Sequence, residues 1–237
     1  MGNSYFSFKQ FTIQQQHCAM KVCTDACLFG AWLSNQLTQT TVSHILDIGT
    51  GTGLLPLMLA QQTTATIHTV EVDHAAFTQA QQNFADANRS QQINVYHQPI
   101  QQFYPGSQYP FILSNPPFYQ HDLKGPGIQK NLAHHSTQLS INDLLTSIQR
   151  LLQPNGSFAL LLPARRAQAI IDLAGQQGYH PTQIVRVKQT ERHYPFRWMV
   201  WFATQPSTIV ESEITIKVNN TYSAGFTALL KNYYLHL

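Results

Sequence analysis

The stretch that most limits the fold is "VSHILDIGTGTGLLPLMLA", running from Val42 to Ala60. An apolar run of strand length enters a turn with three glycines and leaves as an apolar helix. Pro56 is tolerated in the first turn of that helix. Two further strands follow, "ATIHTVEVD" and "INVYH". Between them lies the amphipathic helix "HAAFTQAQQNFADAN", with Ala76, Phe77, Ala80, Phe84 and Ala87 at near-helical spacing. "YPFILSN" is a strand stopped by Pro116 and Pro117. A helix "LSINDLLTSIQRLL", a strand "SFALLLP" and a helix "ARRAQAIIDLAGQQG" closed by Gly178 continue the alternation. Such alternation predicts an α/β, doubly wound, mostly parallel sheet covered on both faces. "TQIVRVKQ" and "FRWMVWFA" have no helix between them, so they should form a late antiparallel hairpin and bring the sheet to seven strands. A tail of strand ("EITIKV") and helix ("FTALLKNYYL") ends the chain. The expected organisation is a single domain: residues 1–40 as an N-terminal extension or lid, then 41–237 as the main body.

Composition sets outer bounds. Of 237 residues, 43% are hydrophobic, enough for a sizeable core, and only 11% are charged. The formal net charge of +3 permits a nucleic-acid partner without demanding one. No apolar run approaches the roughly 18 residues of a membrane span, and "MGNSYFSFKQF" has no apolar signal region. The chain is therefore expected to be soluble and cytoplasmic. Cys18, Cys23 and Cys27 include no C-x-x-C pair, so they are read as reduced thiols with no metal site.

Ligands of open α/β sheets bind beyond the carboxyl ends of the strands. Gly49, Gly51 and Gly53 stand at such an end, and Glu71 closes the next strand, 18 residues beyond Gly53. A carboxylate there can accept hydrogen bonds from both hydroxyls of a ribose. Asp47, just before the turn, suits a cationic amino group. On its own the turn is a weak signal and can also be read as a plain tight turn. "SNPPF" has two readings as well. Asn115, Pro116 and Pro117 can simply end a strand, with Phe118 as a packing ring. Alternatively, the Asn115 side-chain carbonyl and the Pro116 backbone carbonyl accept the two hydrogens of a planar amine. Pro117 then fixes the backbone, and Phe118 stacks on the flat substrate. Two accepted hydrogen bonds favour a pyramidal nitrogen whose lone pair is free for in-line displacement.

Together Asp47–Gly53, Glu71 and Asn115–Phe118 resemble the class I S-adenosylmethionine-dependent methyltransferases that modify planar amino groups. Their glycine spacing is G-x-G-x-G rather than the dinucleotide G-x-G-x-x-G. "FSFKQFTI", "CAMKVCTDACLFGAW", "ALLLPARR" and "YSAGFTALLKNYYL" narrow this to a resemblance to the bacterial tRNA1(Val) adenine-37 N6-methyltransferases. The resemblance covers nearly the whole chain. It implies a Rossmann-like fold, S-adenosyl-L-methionine as donor (product S-adenosyl-L-homocysteine) and tRNA as substrate, with no obligate protein partner. It places Lys21, Thr24 and Asp25 beside the methionine end of the donor, and Ile100 and Gln98 beside its adenine. Pro99 stands where many relatives carry Asp, Cys23 where they tend to carry Gly. It also assigns Lys9, His135 and Arg197 to RNA contacts. "HYPFR" replaces a more basic Lys-Pro-Pro-Arg, which makes this surface less basic than the family's. The alternative is methylation of another planar amine, guanine N2 of rRNA or a protein glutamine.

Overall fold

The computed structural model describes residues 3–16, 18, 20–117 and 139–237. Its elements run β1 (Tyr5–Ser7), β2 (Thr12–Gln14), α1 (Thr24–Leu37), β3 (His44–Ile48), α2 (Leu54–Leu59), β4 (Thr66–Glu71), α3 (His74–Asp86) and β5 (Ile93–His97). A 3-10 turn (Ile100–Gln102) leads to β6 (Tyr109–Ser114), α4 (Ile141–Leu151), β7 (Leu152–Pro163) and α5 (Ala164–Gln176). The chain ends with β8 (His180–Thr190), β9 (Arg197–Ala203), β10 (Val210–Val218), β11 (Thr221–Tyr222) and α6 (Ala224–Leu230).

The main sheet has the order β11-β10-β8-β9-β7-β6-β3-β4-β5. From β5 to β7 the strands are parallel, and β9 runs antiparallel to both β7 and β8. The doubly wound sheet and the late hairpin of the sequence reading are therefore present. The strand count differs: among the described residues nine strands share the sheet rather than seven. The tail strand does not stay outside; β10 pairs parallel to β8 and carries β11 on its far side. Charge favours this pairing. Arg186 meets Glu211 at 2.6 Å and Lys188 meets Glu213 at 2.8 Å, cation row against acid row across two neighbouring strands.

Two apolar clusters cover the two faces of the sheet. One holds Ile45, Ile67, Phe111 and Leu113 from the strands, with Leu28, Phe29 and Leu33 of α1, Met58 of α2 and Phe84 of α3. The other holds Leu46, Ile48, Ile112 and Leu160 against Leu144, Leu145 and Ile148 of α4 and Ile170 of α5. Odd and even residues of β3 thus point to opposite helical layers, as a strand's two-residue period requires. Phe8, Phe11 and Ile13 of the N-terminal segment join the first cluster with α1.

The two ends of the chain meet. Phe8 forms an isolated bridge with Tyr234, and the Lys9 N–H donates to the Tyr233 carbonyl at 2.8 Å. Phe8 stacks on Phe11 and packs at a tilt against Phe6 and Tyr234; Phe6 also meets Tyr234, which packs on Phe226. Among the described residues, no helix is long and apolar enough to cross a membrane.

Candidate active site

The carboxyl ends of β3, β4 and β6 converge because these strands are direct neighbours in parallel register. Backbone bonds fix the glycine turn after β3: the Gly49 N–H donates to the Val70 carbonyl at 2.9 Å, and Gly53 to Thr50 at 2.9 Å. Glu71 then ties the turn to β4. Its Oε2 accepts the Gly51 N–H at 2.8 Å, and its Oε1 accepts those of Val72 and Asp73 at 2.9 Å each. A carboxylate has about four acceptor sites, so three are in use.

The glycines differ in what they do. A Cβ on Gly51 (φ +56°) would have no heavy atom within 4 Å, whereas one on Gly53 (φ +81°) would lie 2.5 Å from the Phe84 ring. Gly51 leaves room for something to approach; Gly53 leaves room for α3. Gly51→Ala is therefore expected to fold, at a backbone cost of about 1–2 kcal/mol. Gly53→Ala adds a ring clash to a similar cost and should lower the denaturation midpoint clearly further, measured by urea unfolding of both variants.

Asp47 is fully buried, and neither carboxylate oxygen has a hydrogen-bond partner among the described residues. The buried hydroxyls of Thr50 and Thr69 are likewise unpartnered. Burial pushes the Asp47 carboxyl up to about 7, and the charge of Glu71 adds to the rise. Thr50 is near enough to soften this effect yet makes no hydrogen bond to it. Orphaned buried polar atoms call for a partner. With the open space at Gly51 and the acceptor at Glu71, they suit a ligand carrying a cation at one end and hydroxyls at the other.

Asn115 follows β6 and is half-buried, Pro116 is buried and Pro117 exposed. The Ser114 hydroxyl donates to the Ile48 carbonyl at 2.7 Å, which locks this end of β6 to the start of the glycine turn. The structure thus brings Asp47, the glycine turn, Glu71 and Asn115–Pro117 to the carboxyl ends of three neighbouring strands. Phe118 and His135 lie outside the described residues. Ile100 is buried after β5, and its carbonyl accepts from Arg150 at 2.9 Å, as does that of Phe103 at 2.6 Å. Thr24 opens α1; the Lys21 amine donates to the Asn3 carbonyl at 3.2 Å, and the Lys9 amine to that of Lys231.

Arg197 has two partners within the chain. Its Nε pairs with Asp25 at 2.8 Å, and one terminal nitrogen donates to the Phe196 carbonyl. The Asp25 side chain is only 11% exposed, so removing its cation strands a mostly buried charge. Arg197→Ala should cost about 2 kcal/mol in chemical denaturation; the cost is held below that of a fully buried pair because Arg197 is partly solvated.

One residue of the site was not singled out from the sequence. Asn83, fully buried on α3, exchanges hydrogen bonds with the Gln14 backbone at 2.9 Å and donates to the Thr52 carbonyl at 2.8 Å. It clasps the N-terminal hairpin to the glycine turn. Its signal was available: a polar residue on the same helical stripe as Ala76, Ala80 and Phe84.

The methyltransferase small domain family model matches residues 29–162, more than half of the chain. A Dyadobacter fermentans protein, tRNA1(Val) (adenine(37)-N6)-methyltransferase, is 41% identical over 98% of each chain. The protein of the same name from Pseudoalteromonas translucida is 40% identical over 99% of this chain and all of its own. The chain belongs to this methyltransferase family. Solved structures carry the same fold at low identity. A predicted O-methyltransferase from Agrobacterium tumefaciens is 13% identical with a TM-score of 0.66, covering 88% of this chain and 96% of its own. A SAM-dependent methyltransferase from the same organism is 17% identical with a TM-score of 0.61, over 86% and 72%.

Proposed function

We propose that this protein transfers a methyl group from S-adenosylmethionine to the exocyclic N6 of adenine 37 in tRNA1(Val). The observation that carries the donor assignment is the buried, unpartnered carboxylate of Asp47 beside the glycine turn. When bound, S-adenosylmethionine supplies an electrophilic methyl on a sulfonium. Asp47 takes the ammonium of its amino-acid end, directly or through water. Glu71 keeps Val72 and Asp73 on Oε1. Accepting from both ribose hydroxyls requires Oε2 to give up Gly51, because only one acceptor site is otherwise left. Ile100, its carbonyl held by Arg150, would border the adenine end.

Asn115 and Pro116 act on the acceptor amine. Its lone pair is delocalised into the base, so orientation matters more than a strong base. The Asn115 amide oxygen accepts one amine hydrogen and the Pro116 carbonyl the other. Pro116 is buried and Ser114 is tied to β3, so both acceptors are held before the substrate arrives. Phe118 is assigned to stacking on the base. The substrate assignment rests on two full-length relatives of that name at 40–41% identity. An adenine in an anticodon loop must be splayed out to reach this crevice.

The test uses the methyl donor labelled in its methyl group and bulk tRNA from a strain lacking the protein. After digestion, label in N6-methyladenosine is the expected result. Label in a guanosine or in protein would move the activity to another planar amine.

A further inference from the structure

The hairpin between β8 and β9 has a feature that neither the donor site nor the acceptor amine uses. Tyr194 at its tip is 92% exposed. Exposed aromatic residues are common on mobile loops, but this turn is pinned. The His193 ring nitrogen and the Thr190 hydroxyl lie 2.6 Å apart, the His193 N–H donates to the Thr190 carbonyl at 3.1 Å, and Phe196 donates to Val187 at 2.9 Å. Ala164, the first residue of α5, donates to the Phe196 carbonyl at 3.1 Å and ties the turn to the end of β7. Pro195 stiffens the residue after the ring. Tyr194 is thus a large planar group held out in water at little entropic cost.

Its position and its surroundings specify a partner. Arg197 is level with Pro163 at the end of β7 and with Val187 of β8. The β8–β9 turn therefore projects from the same sheet edge as Asn115. Sideways it stands two to three strand spacings from β6, about 10–15 Å, and β8 runs on roughly 20 Å beyond the level of Ser114 before the turn. The segments Pro163–Arg166 and Thr190–Arg197 contain four arginines and one acid, Glu191; of the four, Arg197 already pairs with Asp25. Arg165 and Arg192 are exposed, Arg192 two residues before the ring. An exposed planar ring with exposed arginines at the same end of the sheet as an amine-methylating site matches an RNA loop in both charge and shape.

We propose that the β8–β9 turn is a docking platform for the RNA substrate. Tyr194 stacks on an unpaired base of the same RNA outside the reaction crevice, and Arg192 and Arg165 take backbone phosphates. This rests on the tRNA reading above and deepens it, because it locates specificity outside the reaction crevice.

The test compares the wild-type chain with Tyr194→Ala, Tyr194→Trp and Arg192→Gln in tRNA binding and in S-adenosylmethionine binding. Tyr194→Ala should weaken tRNA binding about 5- to 100-fold, the range of one base–aromatic stack. Tyr194→Trp should restore most of it, since a larger ring stacks as well. Donor affinity should be unchanged in both. Arg192→Gln should lower the slope of log affinity against log salt by about 0.7–0.9. Wild-type-like tRNA binding by Tyr194→Ala would overturn the platform alone. So would equal losses in the Ala and Trp variants, or a change in the sedimentation of the protein by itself, which would make the turn a contact between copies. Failure of the wild-type chain to bind tRNA would remove the substrate reading and the platform together.

Discussion

Asn115→Ala is expected to cut methyl transfer by at least about 10²–10³-fold, the usual loss when one pre-aimed hydrogen-bonding group is removed from a reacting centre. Binding of S-adenosylmethionine should stay nearly unchanged, because Asp47 and Glu71 remain. The size of the effect follows from how firmly the residue is held. Ser114 is bonded to β3 and Pro116 is buried, so the chain around position 115 has little room to supply a substitute acceptor. Asn115→Asp keeps an acceptor and should retain more activity than the alanine variant. Single-turnover rates with donor affinity measured in parallel check both. Equal losses of transfer and donor binding would show that Asn115 serves the donor instead.

Asp47→Asn should separate stability from binding. In the folded chain the Asp47 carboxyl titrates at about 7, against an ordinary value of 3.8. A carboxyl raised by folding costs stability once the unfolded chain ionises. Stability conferred by this group is therefore highest below pH 4, falls between about 4 and 7, and stays low above. Asparagine removes that cost and should stabilise the free protein at pH 8, on the order of a few kcal/mol. The same change should weaken S-adenosylmethionine binding about 10- to 150-fold, the worth of a hydrogen bond to a charged group. Wild-type donor affinity should rise from pH 6 to pH 8 as Asp47 ionises, with a flatter profile in the variant. Thermal denaturation and calorimetric titration across that range provide both readings. A variant less stable than wild type at pH 8 would show that the carboxylate is paired rather than orphaned.

Much of this site lies in short local patterns. The strand–turn–helix from Val42 to Ala60 and the proline stop after Ser114 each depend on a few adjacent residues, so their sequence suffices. Their convergence follows from the alternation of strands and helices, which places β6 beside β3. What the sequence concealed depends on distant partners. Asp25 and Arg197 are far apart in the chain, and no spacing rule joins a helix start to a late strand. Glu71 was legible as an acceptor, but its bond to the Gly51 N–H was not. The place of β10 in the sheet depends on Glu211 and Glu213 lying against Arg186 and Lys188, a match visible only once β8 is at the open edge. The terminal segments that carried the family resemblance turn out to be one structural unit, joined through Phe8, Tyr233 and Tyr234.

The most direct measurement is to treat unmodified tRNA1(Val) with the protein and S-adenosylmethionine, cleave it into fragments and locate the added methyl by mass spectrometry. A single N6-methyl group on adenine 37, absent with Asn115→Ala, is the expected result. A methyl on a ring nitrogen, on a guanine, or on adenine 37 with undiminished yield from the alanine variant would contradict the assignment of Asn115 and Pro116 to the adenine amine.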